Sequence, residues 1–228
     1  MRRLIVLALL GIGAGPALAG PRPVVVELFT SLGCSDCPPA DALLARISEQ
    51  DHDVLALDLH VTYWNSSSWV DPYSIKDVDE LQNGYAGVWH DSEVYTPEAV
   101  VDGDQHFIGS DARAMALAIA RAKARIAAEP VVPAAVRVAA QGLTITIGAG
   151  TGAGTLWLFG FGPVRTTSVE GGENAGATLR EVDVVSSITR LSDWRGRGMR
   201  LLMRPPAGSR FAVVLQRADG AILAAAST

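Results

Sequence analysis

Two cysteines three residues apart, set between an apolar run and a helical periodicity, constrain this chain more than any other feature. In "ELFTSLGCSDCPPADALLARI" (residues 27–47), Cys34 and Cys37 are the only cysteines of the 228 residues. Upstream, Val24, Val25, Val26, Leu28 and Phe29 form the continuous apolar run of a strand buried on both faces. Downstream, Ala40, Leu43, Leu44 and Ile47 recur at i, i+3, i+4 and i+7, one face of a helix. "DVLALDLHV" (53–61) then reads as a second buried strand. Strand, helix, strand is a βαβ unit, so the two strands are parallel and the crossover right-handed.

Residues 62–93 break the pattern, with a helix expected over 74–87, capped by Ser74 and ended by Gly84 or Gly87. "VYTPEAVVDGDQHFIG" reads as a hairpin about "DGDQ". A strong helix follows, from a cap at Ser110 or Asp111 to Glu129, and Pro130 and Pro133 stop it. The order β-α-β-(α)-β-β-α, with C-x-x-C after the first strand, is that of an α/β thioredoxin-like domain. It is expected over 20–129, with an insertion at about 62–93. Residues 130–228 hold no Cys or His and many Gly, and "AAVRVAAQGLTITIG", "GTLWLFGFG", "REVDVVSSI" and "RFAVVLQ" are strand-like. They predict a small antiparallel β domain of sandwich type.

The first 19 residues carry "MRR", the apolar core "LIVLALLGIG" and the A-x-A-like site "ALA", so they read as a cleaved signal peptide. The run is too short to span, which takes about 20 apolar residues. The expected location is periplasmic or secreted, without stable membrane insertion after cleavage. Loss of Arg2 and Arg3 takes the formal charge from −5 to −7. An acidic chain without a basic run excludes a nucleic-acid partner. In an oxidising compartment the cysteines are open to three readings: a redox pair, a metal hook, or a structural staple.

As a redox pair, Cys34 attacks as thiolate and Cys37 resolves the mixed disulfide, exchanging with a protein or small thiol partner. Pro38 and Pro39 lack N–H groups and fit only a first helical turn. Cys34 is then expected just outside the helix as the more exposed sulfur, and Asp36 as a cap whose charge opposes the thiolate. Glu27, seven residues before Cys34 in an apolar run, either relays a proton to Cys37 or tethers neighbouring backbone. His60 closes the second strand, and with Tyr63 and Trp64 is expected to rim the cysteines. Cys34, Cys37 and His60 make the alternative, a copper or zinc site. Trp69 and Trp89 either pack the insertion or bind substrate.

"FTSLGCSDCPPAD", "HVTYW", "WVDPY", "VYTPEAVVDG" and "GENAGATL" together make the chain resemble a family of secreted, thioredoxin-like proteins, domain of unknown function twelve twenty-three. It departs from that family's pattern at Thr62 and Asn65. The resemblance implies no activity of itself. It does imply a cis-proline at Pro97, lying against the cysteines at the start of the third strand, with Thr96 and its neighbours pairing with an extended substrate. "GGENAGATLREV" (171–182) has glycines for tight turns, and Glu173 and Asn174 either reach a ligand or stabilise the loop.

Overall fold

The computed structural model describes residues 22–228; the expected signal peptide lies outside the described residues. Strands β1 (Val24–Thr30) and β2 (Val54–His60) pair in parallel from Val24↔Val54 to Thr30↔His60, and helix α1 (Pro38–Gln50) crosses between them. Strand β3 (Glu98–Val101) pairs antiparallel with the other edge of β1, and β4 (Gln105–Ile108) follows through a turn at Asp102 and Gly103. The sheet order is β2-β1-β3-β4.

Helix α2 (Lys76–Trp89) fills the irregular segment, but its ends differ from expectation. Ile75 holds the cap position, because the Ser74 hydroxyl donates to the Asp71 carbonyl instead. His90, at φ 60°, ends the helix in place of a glycine. Helix α3 (Ala112–Ala128) is capped by Asp111, whose carboxylate accepts from the Arg113 and Ala114 amides.

The period of two along β1 separates two cores. Val24, Val26 and Leu28 meet Ala40, Leu43 and Leu44 of α1, and Met115, Ala118 and Ala122 of α3. Val25 and Phe29 face the other way, with Leu55, Leu57 and Leu59 of β2 and Val78 and Tyr85 of α2. That second face is covered by strands of the C-terminal half. These are β7 (Gly154–Phe161), β10 (Val185–Trp194), β12 (Arg210–Gln216) and β13 (Ile222–Ser227), in the order β10-β7-β12-β13. Phe159, Phe161 and Val214 enter the core of Phe29 and Leu57. Each such buried side chain contributes about 1.5–3 kcal/mol, so the two halves share a large part of their stabilisation.

On its other face this sheet packs Leu156, Leu158, Val213 and Leu215 against β5 (Ala134–Ala139), β6 (Gly142–Ile147) and β11 (Met199–Met203). Strands β8 (Arg165–Ser168) and β9 (Thr178–Glu181) form a separate ribbon. "REVDVVSSI" is not one strand: Glu181 ends β9, Val185 begins β10, and Asp183 between them turns at φ 52°. The molecule is a mixed α/β protein of several sheets, mostly strands. No helix among the described residues is long and apolar enough to cross a membrane.

Candidate functional site

Beyond Thr30 the chain turns back on itself: the Cys34 amide donates to Ser31 O and the Cys37 amide to Cys34 O. Cys37 is the cap residue of α1 and Pro38 and Pro39 take the first two helical positions, where missing N–H groups cost nothing. The Cys37 carbonyl accepts from the Ala40 and Asp41 amides. Asp36 does not cap the helix, which has no side-chain cap bond, and its side chain is exposed. Cys34 and Cys37 form a disulfide with their Cα atoms 5.4 Å apart.

Cys34 is expected to be the more exposed sulfur, but both cysteines are buried and the difference between them is marginal. Cys34 is 1% and Cys37 0% exposed. Two segments cover them. A Cβ on Gly33 would stand 3.1 Å from the Trp69 ring and 3.4 Å from Trp64. From the C-terminal half, the "GGENAGA" loop (171–177) lies on the cysteine turn. Gly172, at φ +71°, sits so close that a Cβ there would be 2.7 Å from Gly33 Cα. The Glu173 amide donates to Gly33 O at 3.0 Å, and the Glu173 carboxylate accepts from the Ser35 amide at 3.0 Å and its hydroxyl at 2.6 Å. Those bonds hold the Glu173 carboxyl below its ordinary pKa. Asn174 Nδ2 donates to Leu32 O at 3.0 Å and Cys34 O at 2.8 Å. Glu173 and Asn174 thus stabilise a loop, and that loop is the cover of the cysteines.

The Thr96–Pro97 peptide bond is cis, and the Thr96 carbonyl oxygen lies 3.9 Å from Cys34 Sγ. Trp64 Nε1 donates to Thr96 Oγ1 at 2.7 Å, which ties the insertion to the strand entrance. Tyr63 is 45% exposed and its hydroxyl donates to Gln82. Trp69 packs on the cysteine turn, while Trp89 stacks between Tyr85 and His106.

Glu27 is not the relay to Cys37. Its odd register puts it on the face of Val25 and Phe29, across the sheet from α1. There it accepts a 2.5 Å bond from the Tyr85 hydroxyl, and burial pushes its pKa up to about 7. One buried acid on the cysteine side is Asp41, one turn along α1 from Cys37. It accepts from the Thr30 hydroxyl at 2.7 Å, and burial, then the nearby Asp58 charge, raises its pKa to about 8.

His60 does not join the cysteines: among the described residues, the group with metal-ligand spacing is Asp58, His60 and Glu181. His60 Nδ1 lies 2.9 Å from Asp71 Oδ2, which also accepts from the Leu32 amide and the Ser31 hydroxyl. One carboxylate therefore connects the cysteine turn to His60. Burial works against the imidazolium, yet Asp58 and Asp71 hold the His60 pKa well above its ordinary value. Asp71 is held below the usual range, since His60 and backbone amides outweigh its burial. Glu181 is raised to about 9 by burial and then by Asp58 and Asp41. Asp58 and His60, two residues apart on β2, are a signal readable in "DLH"; Asp71 and Glu181 come from distant segments.

These features define a mixed α/β protein with a covered C-x-x-C disulfide at a strand-to-helix junction and a buried polar cluster beside it. The chain belongs to the family described as Protein of unknown function (DUF1223), whose model matches residues 25–217. It is similar to the crystal structure of protein AGR_C_4864 from Agrobacterium tumefaciens, at 32% identity and a TM-score of 0.78, covering 92% of this chain and 95% of that one. HBP35 of Porphyromonas gingivalis is similar in fold, at 16% identity and a TM-score of 0.58, over 92% of this chain and 76% of that one. No curated protein matches.

Proposed function

We propose that the protein is an exported thiol–disulfide oxidoreductase, periplasmic or secreted, whose N-terminal half is thioredoxin-like and bears an all-β C-terminal domain. The observation that carries this is the Cys34–Cys37 disulfide at the start of α1, with the carbonyl before cis-Pro97 at 3.9 Å from Cys34. The β2-β1-β3-β4 order, with α1 and α3 sharing one face, supports the scaffold. The leader-like first 19 residues support export.

A partner thiolate attacks Cys34 Sγ, the S–S bond breaks, and its electron pair leaves on Cys37 as thiolate. A second partner thiolate attacks the partner sulfur of this mixed disulfide and expels Cys34. The partner ends oxidised by two electrons, and the two cysteines, after taking up two protons, end as thiols. The reverse sequence oxidises the pair. In this reading Thr96, whose carbonyl oxygen lies 3.9 Å from Cys34 Sγ, pairs with an extended partner, and Tyr63 and Trp64 flank it. Burial of both sulfurs favours a second reading, in which the disulfide is a staple of a binding module.

Trapping decides between them. Cys37→Ala should accumulate mixed disulfides on Cys34 with protein or small-thiol partners, because the resolving sulfur is gone, and Cys34→Ala should accumulate few. Non-reducing electrophoresis with mass spectrometry reads both. Equal, negligible trapping by the two variants supports the staple.

A further inference from the structure

Four buried side-chain atoms among the described residues have no hydrogen-bond partner: Asp58 Oδ1, His60 Nε2, Glu181 Oε2 and Trp157 Nε1. Three of the four belong to the one cluster whose ligand atoms lie within 4.8 Å of one another. Asp58, His60 and Glu181 are each 1% exposed, so water does not satisfy them from outside. An unpaired buried carboxylate or imidazole is costly, and three converging in one place call for a shared occupant.

From this coincidence we infer that Asp58, His60 and Glu181 form a site for a divalent cation of the zinc type, separate from the cysteines. The donors are one imidazole nitrogen and carboxylate oxygens, a set that suits zinc; a soft ion such as Cu(I) prefers sulfur. Zinc takes such ligands at about 2.0–2.2 Å, and a spread of 4.8 Å closes onto one ion with small side-chain shifts. His60 already has the arrangement usual for a ligating histidine: Nδ1 is engaged by Asp71 at 2.9 Å, which turns Nε2 toward Asp58 and Glu181. Nε2 is 3.5 Å from Asp58 Oδ2 without a good hydrogen bond, so that contact leaves it unsatisfied. Asp41 is already satisfied by the Thr30 hydroxyl and so is not counted among the ligands.

The site would be structural. Asp58 and His60 lie on β2 and Glu181 ends β9, so the ion joins the two halves beside the backbone bridge of Asp58 with Val184. Strand β9 follows directly on the 171–177 loop, so the ion would also anchor the cover of the disulfide.

The test uses the full exported chain, purified without chelator, stripped, and titrated with zinc against a chromophoric chelator. One zinc per chain is expected. Glu181→Gln, nearly isosteric, and His60→Ala should abolish it, with folding checked by circular dichroism. Asp71→Asn should weaken it by about 10- to 100-fold. The Cys34→Ser, Cys37→Ser double variant should keep it. Cobalt bound to the wild type should show nitrogen and oxygen ligation without thiolate charge transfer, a readout that stands even if His60→Ala does not fold. Absence of stoichiometric zinc in the wild type overturns the inference and leaves Glu181 and Asp58 sharing a proton. Binding that survives Glu181→Gln, or that is lost with the cysteines, overturns it as well.

Discussion

Replacing Asn174 by alanine should make the disulfide react faster. Both cysteines are buried, and lifting the 171–177 loop off the cysteine turn removes one of the two segments that keep a thiol from Cys34. Asn174 contributes two hydrogen bonds to that closure, to Leu32 O and Cys34 O. Each neutral bond is worth about 1 kcal/mol net, so Asn174→Ala should favour the open loop by about 2 kcal/mol. At 1.4 kcal/mol per tenfold, the open population and the reduction rate both rise about 30-fold, provided opening equilibrates faster than attack. The Glu173 contacts remain in the variant but are exposed, so solvent weakens their hold. The assay is reduction of Cys34–Cys37 by dithiothreitol, quenched by alkylation and read by intact mass. A rate within twofold of wild type, with the circular dichroism spectrum unchanged, would refute the covering role of the loop.

Glu27→Gln should flatten part of the pH dependence of stability. Burial raises Glu27 from 4.5 to about 7, so the folded protein keeps a proton that the unfolded chain releases between those values. That contribution is fully present below pH 4.5 and is lost as pH rises through 7, a loss of about 3 kcal/mol that Gln should not suffer. Urea midpoints at pH 5 and pH 8 check it, and an unchanged wild-type slope in the variant contradicts the assignment. Separately, the exported protein should begin at Gly20; an intact mass that retains residues 1–19 would mean an uncleaved anchor.

The parts that follow from local pattern were readable from the residues alone. Apolar runs marked β1 and β2, helical spacing marked α1, and the Asp111 cap and proline stop marked α3. Strands β8, β11 and β13 carry no such mark, because "RTTS", "MRLLM" and "ILAAAS" lack the β-branched apolar alternation that announces a strand. A run apolar on both faces says that β1 is buried twice; it does not say that Phe159 and Phe161 do the covering. The same limit governs the site. C-x-x-C is visible as spacing and the role of Pro97 follows from the family resemblance, whereas Asn174 meets Cys34 across 140 residues of chain. Glu27 shows how one residue of register decides a role: its neighbour Leu28 faces α1, and Glu27 itself faces Tyr85.

Whether Cys34 and Cys37 exchange electrons with partners is decided by the reduction potential of the couple. Carboxylates at Asp36 and Glu173 flank the turn and oppose a thiolate, so a strongly oxidising couple near about −120 mV is not expected. Glutathione and dithiothreitol titrations, quenched and read by mass, should place the midpoint between about −300 and −180 mV. A pair that stays oxidised to below about −300 mV would rule out exchange and make the disulfide a staple.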